Sequence, residues 1–310
     1  MTRRARLIYN PVSGHEQMPK TVADTLTVLE KAGYEASTFR TTPKQNSARD
    51  EATRVAQAGF DLVVAAGGDG TINEVVNGLA FIDNPPKMAI IPAGTTNDFA
   101  RALGIPRDDP VAAAKVIRKG HTVKMDVGKA IFGPDKSSYF INIAAGGSLT
   151  ELTYGVPSDI KSAFGYAAYL IKGAEMLPHL TENEMRLTYD DGVYEGELSM
   201  FLLGMTNSIG GFEQIMPDAE LSDGKFQLIV VKPADPVNLL RLMALALNGR
   251  HVEDPNIIYT KTTSLKVELI GKSQHDELPV NLDGEIGGYC PVTFKNEHRR
   301  IEFFVGGVKH

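Results

Sequence analysis

The sequence predicts an α/β domain built on a parallel sheet, followed by a mainly antiparallel β domain, and three observations predict it. In residues 1–125 short apolar runs alternate with stretches of helical periodicity, the signature of a parallel sheet with helices on both faces. From Thr122 onward the rhythm changes to β segments separated by hairpin signals. The chain has 310 residues, 43% of them hydrophobic, which is enough to bury two cores.

The first half reads in order as follows. Arg6–Asn10 is a candidate first strand, and Val22, Leu26 and Leu29 form the apolar stripe of a helix closed by Gly33. Glu35–Phe39 is a second strand and Ser47–Ala58 a second helix, ending at Gly59. Asp61–Ala65 is a buried third strand, followed by a glycine-rich turn and a helix over Thr71–Leu79. Met88–Ile91 is a fourth strand, after which Pro92–Asp98 turns into another helix, with a further helix from Asp109 to Arg118.

The second half offers β segments at Lys124–Ala130, Ser138–Ala144, Met185–Tyr189, Gly196–Met205, Phe226–Val231, Ser264–Leu269, Pro279–Leu282 and Ile301–Val305. Asp191-Gly192 between alternating runs is a strong hairpin signal. Two helices, Ser158–Leu177 and Pro236–Leu247, interrupt the strands. A boundary near Val123–Lys129 divides the chain into domains 1–125 and 126–310, leaving open whether the last residues return to the first.

Composition excludes several classes. A net charge of −6 argues against a general nucleic-acid binder, which needs a basic excess. One cysteine, Cys290, excludes an internal disulfide and a cysteine-rich metal site and fits a reducing cytoplasm. The seven histidines show no ligand spacing. Met1–Arg6 leads directly into Leu7-Ile8-Tyr9, too short for a signal h-region, and Leu239–Leu247 is far too short to span a bilayer. The expectation is a soluble or at most membrane-associated protein.

The chemistry concentrates in turns. Gly67-Gly68-Asp69-Gly70-Thr71-Ile72-Asn73-Glu74 follows a strand and opens a helix, so free backbone N–H groups and a positive dipole end face one place, which suits phosphate. Asp69 inside that loop would repel phosphate unless Mg²⁺ intervenes or it handles a proton. Thr71 and Glu74 also fit a T-x-x-E capping box, which only starts a helix. Asn10-Pro11-Val12-Ser13-Gly14 and Gly94-Thr95-Thr96-Asn97-Asp98 likewise follow strands. In open α/β sheets ligands sit at the carboxyl ends of strands, so three such loops would share one edge. No G-x-x-x-x-G-K-[ST] and no properly placed G-x-G-x-x-G occurs. In Asn281-Leu282-Asp283-Gly284-Glu285 both acids share a face if the segment stays extended, and would then couple; a polar hairpin end is the other reading. Pro217–Lys225 carries Asp218, Glu220 and Asp223, either a cation loop or a turn before the next strand.

Taken together, Tyr9–Gly14, Gly67–Glu74, Pro92–Arg101, Pro217–Gly224 and Asn281–Glu285 closely resemble the soluble bacterial diacylglycerol kinases, relatives of the sphingosine and ceramide kinases. The motifs run nearly the whole chain in the family's order. The Gly67–Thr71 loop is shared with NAD kinases and phosphofructokinases, whereas Gly94–Phe99 points to lipid kinases.

The resemblance implies an N-terminal NAD-kinase- and phosphofructokinase-like α/β domain, a C-terminal β-sandwich, and an active site in the cleft between them. It implies ATP contacts at Asn10, Pro11, Val12, Ser13, Gly14, Thr41, Gly68, Asp69, Gly70, Thr71, Ile72, Asn73, Glu74 and Thr95. Asp69 and Asp98 would position water and the catalytic Mg²⁺. Glu285 is the base the family favours, with Asp283 a physically reasonable rival. Asp223, helped by the carbonyls of Glu220 and Lys225, would hold a structural Mg²⁺. The activity implied is ATP-dependent phosphorylation of 1,2-diacylglycerol to phosphatidate in phospholipid metabolism, by a cytoplasmic homodimer reversibly docked on an anionic membrane. The apolar and basic helix Ser158–Leu177 is the candidate dock, and equally reads as a core helix with solvated lysines. Rival readings are another lipid alcohol, a soluble acceptor as in NAD kinase, or a nucleotide-sensing module without catalysis.

Overall fold

The computed structural model describes residues 2–14, 18–94, 97–147, 183–207, 214–270 and 278–307. The expected helix Ser158–Leu177 and the expected ligand Thr95 lie outside these residues. The chain divides into two compact units, Met1–Val127 with His298–His310, and Gly128–Glu297.

Unit 1 is a parallel α/β layer. Its strands are β1 (Arg3–Tyr9), β2 (Tyr34–Arg40), β3 (Leu62–Gly67) and β4 (Lys87–Pro92), in the order β2-β1-β3-β4 and all parallel. The helices are α1 (Met18–Lys31), α2 (Ser47–Gln57), α3 (Asp69–Leu79), α4 (Asp98–Ala102) and α5 (Pro110–Lys119). β3 is buried along its whole length, as its continuous apolar run requires of a central parallel strand. The end of β16 (Val292–Phe304) adds a fifth strand beside β4 through Phe303 and Met88, both fully buried. Phe303 meets Phe99 of α4 edge to face, with ring centroids 5.2 Å apart, which fixes the returning strand against the helix that follows the Gly94 turn.

Local signals mark some helix ends as expected. Asp109 accepts from the Val111 and Ala112 N–H groups to start α5, with Pro110 at the first position. The capping box that Thr71 and Glu74 also fit does not form. α3 already begins at Asp69, with Gly68 as its N-cap, so Thr71 lies inside the first turn. The Glu74 carboxylate turns instead to a different helix, accepting from Asn46 N–H (3.3 Å) and Ala48 N–H (2.9 Å) at the start of α2. An acid from a neighbouring helix satisfies orphan donors and the dipole end as well as a local one would.

Unit 2 is a two-layer β structure. In one layer the first part of β16 pairs β13 (Ser264–Leu269), which pairs β8 (Asn183–Tyr189), which pairs β9 (Gly192–Leu198), all antiparallel. β5 (Thr122–Gly133) and β6 (Lys136–Phe140) form a hairpin attached to this layer. The other layer has the order β12-β11-β10-β7-β14-β15, comprising Ile257–Thr262, Phe226–Val231, Met200–Gly204, Ile143–Gly146, Pro279–Leu282 and Glu285–Tyr289. Phe140, Phe201, Phe226, Phe294, Leu187 and Val280 are among the side chains that fill the core. Leu239 and Leu242 of α6 (Pro236–Ala246) pack with Ile143, Leu202 and Ile229 in a second cluster.

Two segments read as single strands are broken. Gly196–Met205 divides at Ser199, so that β9 and β10 lie in different sheets, and Ser138–Ala144 divides at Ile141-Asn142. Hydrophobic runs do not reveal where a strand changes sheet. The β8–β9 turn is Asp190-Asp191, with Tyr189 paired to Gly192, one residue earlier than the Asp-Gly signal suggests.

Candidate active site

The three strand-end loops of unit 1 converge. Asn10 continues the β1 ladder, its N–H donating to the Ala66 carbonyl at 2.9 Å, and its Oδ1 accepts from Val12 N–H at 3.1 Å to form a tight turn. The same side chain reaches the Thr71 hydroxyl at 3.4 Å, joining the Asn10–Gly14 loop to the first turn of α3. Thr41 N–H donates to the Tyr9 carbonyl at 3.0 Å, which sets Thr41 beside that loop. A Cβ built on Gly14 would stand 3.3 Å from the Ala93 Cβ, so the first loop also touches the third.

The second and third loops meet backbone to backbone. A Cβ on Gly94 would lie 3.0 Å from the Gly68 Cα and 2.8 Å from the Asn97 Oδ1, so only glycine allows this approach. Asn97, in the left-handed region at φ 49°, caps α4 and accepts from Gly94 N–H while donating to the Gly94 carbonyl, each at 2.8 Å. Asp98 is buried beside Arg101, whose guanidinium is 3.7 Å away.

Pro11, Ser13, Gly68, Asp69, Thr71, Asn73 and Glu74 are half-buried around this convergence, and Val12 and Gly70 are exposed. Ile72 is different: it is buried in the core, so a ligand could meet only its backbone. The Glu74 carboxylate is occupied at α2, as described above. The amino end of α3 and close-packed glycine backbone, gathered in one place, are what a phosphate chain requires.

In unit 2 the acidic pair separates. Asp283 and Gly284 are the two turn residues of the β14–β15 hairpin, at φ 51° and 99°, as a type I′ turn demands. The segment is therefore not extended, and the shared face expected for Asp283 and Glu285 is lost. The Asp283 carboxylate folds onto the chain between β6 and β7. Its Oδ2 accepts from Ile141 N–H (2.8 Å), and its Oδ1 from Asn142 N–H (2.8 Å) and Ile143 N–H (2.9 Å). Its own N–H returns to the Ile143 carbonyl at 2.9 Å. Three charge-assisted bonds make Asp283 a brace for this turn. Glu285, the first residue of β15, is exposed.

In the 217–225 loop, Asp223 Oδ1 accepts from Lys225 N–H at 3.0 Å. The Lys261 ammonium, on β12, lies 3.2 Å from Asp223 Oδ2 and 3.4 Å from Glu220 Oε1. Partial burial works against that ammonium, but the Asp223 and Glu220 carboxylates outweigh it and hold its pKa above the ordinary lysine value. Among the described residues no group of three or more His, Cys, Asp or Glu side chains could hold a metal.

Sequence reasoning missed three participants. Asn97 could have been found, because asparagine after a glycine turn is a recognised left-handed position. Lys261 and the N–H donors of Ile141–Ile143 carry no local signal; only strand pairing brings them to the acids.

The chain combines an α/β unit with converging strand-end loops and an antiparallel two-layer β unit. The sequence profile of the diacylglycerol kinase catalytic domain matches residues 4–130, and that of the YegS C-terminal NAD kinase beta sandwich-like domain matches residues 155–305. The chain is 49% identical over 299 residues to the diacylglycerol kinase of Bacillus subtilis (strain 168), covering 96% of this chain and 95% of that one. It is 47% identical over 304 residues to the diacylglycerol kinase of Staphylococcus aureus (strain MRSA252), covering 98% and 93%. A solved structure from Bacillus anthracis str. Sterne superposes with a TM-score of 0.82 at 27% identity, covering 99% of both chains. The chain belongs to the diacylglycerol kinase family.

Proposed function

We propose that this protein transfers the γ-phosphoryl group of ATP to the free hydroxyl of 1,2-diacylglycerol, giving phosphatidate and ADP. The observation that carries the reading is the convergence of the Asn10–Gly14, Gly67–Thr71 and Gly94–Asp98 loops in a chain nearly half identical, end to end, to named diacylglycerol kinases. In this reading the glycine-loop N–H groups and the α3 amino end bind and orient the phosphates, which is most of what phosphoryl transfer asks of a protein. The acceptor oxygen bonds to the γ-phosphorus as the bridging oxygen leaves with ADP, and the hydroxyl proton passes to the Glu285 carboxylate. Glu285 has that role because it is exposed, whereas both Asp283 oxygens already accept N–H groups.

In this reading the donors suit Mg²⁺, which binds through one or two carboxylates together with phosphate and water oxygens rather than through a three-acid cluster. Asp69 and Asp98 supply hard oxygens beside the glycine loops, and the Asp223–Glu220 loop already gathers a cation, the Lys261 ammonium. Asp69 and Asp98 would hold the catalytic ion, and Asp223 with the carbonyls of Glu220 and Lys225 a structural one. When bound, the ion neutralises phosphate charge. A homodimer is part of the same reading, tested by light scattering for twice the 33.6 kDa chain mass.

Purified protein incubated with γ-labelled ATP and Mg²⁺ should label dispersed dioctanoylglycerol, in preference to a sphingoid base or NAD. Glu285→Gln should lower turnover by on the order of 10²–10⁴, the usual contribution of a positioned base. Label appearing in NAD alone, or full turnover in Glu285→Gln, would overturn the assignment.

A further inference from the structure

We propose that the outer edge of β15, with Ile286 and Tyr289 as its apolar contacts, is where this protein enters the lipid surface carrying its acceptor. The inference rests on the reading of Glu285 as the base that meets diacylglycerol. Among the described residues β15 is the last strand of its sheet, with no partner strand beyond it. Such edges are normally guarded by charge or proline. This one presents Ile286 at 59% exposure and Tyr289 at 43%, two of only seven large hydrophobics exposed among the described residues.

Their common orientation is built in. In a regular strand, residues three apart point to opposite faces. The β14–β15 register shifts between Val280 and Asn281, so that Asn281 pairs Ile286, Val280 pairs Gly288 and Pro279 pairs Tyr289. Gly287 is the extra, bulged residue. Residues paired across a ladder share a face, so Ile286 and Tyr289 fall together on the face of Asn281 and Pro279. Glu285 pairs Leu282 and lies on the opposite face of the same edge.

The occupant follows from the acceptor's chemistry. A base must come within about 3 Å of the hydroxyl it deprotonates. In a bilayer that hydroxyl lies at headgroup depth, above acyl chains in the hydrocarbon. Consecutive Cα atoms are about 3.8 Å apart, so when Glu285 reaches the glycerol, Ile286 stands in the headgroup layer with it. Tyr289, further along the edge, has the apolar ring and polar tip that favour this interface.

The chain contains no tryptophan, so Tyr289→Trp creates a single fluorescent reporter. In the Glu285→Gln background, vesicles of phosphatidylcholine and phosphatidylglycerol containing diacylglycerol should shift the emission of this reporter to the blue, and brominated acyl chains should quench it. Val193→Trp, at a 56%-exposed position on β9, should do neither. Ile286→Ser/Tyr289→Ser, shown by melting to be folded, should lose vesicle binding on the order of tenfold or more. Emission from the Tyr289→Trp protein that ignores vesicles overturns the proposal, even if wild-type protein phosphorylates vesicle diacylglycerol, because the lipid is then taken out of the bilayer. A blue shift that appears without vesicles and follows protein concentration assigns the edge to a second copy and equally overturns it. Failure of the wild type to phosphorylate dioctanoylglycerol would sink the kinase reading alone, and the reporter on β15 would still decide the docking edge.

Discussion

Asn97 and Gly94 close on one another: the Asn97 side-chain amide accepts the Gly94 N–H and donates to the Gly94 carbonyl, both at 2.8 Å. This two-way bond shapes the turn so that its backbone lies against Gly68, the residue that opens α3. A methyl group on Gly94 would enter that contact.

Gly94→Ala should therefore act on nucleotide binding as well as on folding. Forcing a Cβ into a space 2.8–3.0 Å from its neighbours displaces both loops and costs about 1–3 kcal/mol. The expected result is a KM for ATP raised by about tenfold, since about 1.4 kcal/mol is a factor of ten, with a smaller change in kcat. Steady-state kinetics with an unchanged KM would show that the loops do not touch ATP.

Asp283 and Glu285 should respond oppositely to removal of charge. Asp283→Asn replaces one acceptor oxygen by an NH₂ group facing a backbone N–H, leaving a donor unsatisfied at a cost of about 1–3 kcal/mol. A lower melting temperature is expected, with residual turnover in whatever fraction folds. Glu285→Gln should melt with the wild type and lose turnover. Exchange of these two phenotypes would make Asp283 the base.

Lys261 bridges two carboxylates that a divalent ion could also neutralise. Lys261→Met leaves Asp223 and Glu220 without that partner. The variant should melt below the wild type in chelator and recover on addition of Mg²⁺, more than the wild type gains. Calorimetry showing the same Mg²⁺ response in both proteins would remove the loop from any metal site.

Asp190 gives a pH prediction. Burial tends to raise its pKa, but the Thr263 N–H (2.7 Å) and hydroxyl (3.1 Å), with the Thr262 side chain and the Ser264 backbone, outweigh it, and the folded-state value is lowered. The unfolded chain then binds more protons than the folded one as pH falls, so stability from this group is fully present above the ordinary carboxylate value, about 3.9, and is lost below it. Asp190→Asn should be less stable than wild type at neutral pH in urea titrations, and the gap should close below about pH 4. A constant gap from neutral pH down to about pH 3 would contradict this.

Much of the α/β unit was legible because its signals are local. The continuous apolar run Leu62–Ala66 could be little else than a central strand, and Asp109-Pro110 spelled out the start of α5. Which helix Glu74 caps was not legible for a physical reason: a carboxylate three residues into a helix has no local mark telling whether it turns back to its own first turn or across to another helix. β12 and β15 escaped notice because one is only half-buried along most of its length and the other contains two glycines in five residues.

By itself, the sequence determined the order of elements in the first unit, the three glycine turns at strand ends and the inventory of acids, because periodicity, turn chemistry and composition act over a few residues. Only the tertiary structure decided what each acid does. Which N–H group Asp283 meets, which ammonium faces Asp223 and which side of β15 carries Ile286 depend on pairings between strands far apart in the chain. Such pairings are set by the register of whole sheets and leave no trace in any short stretch of residues.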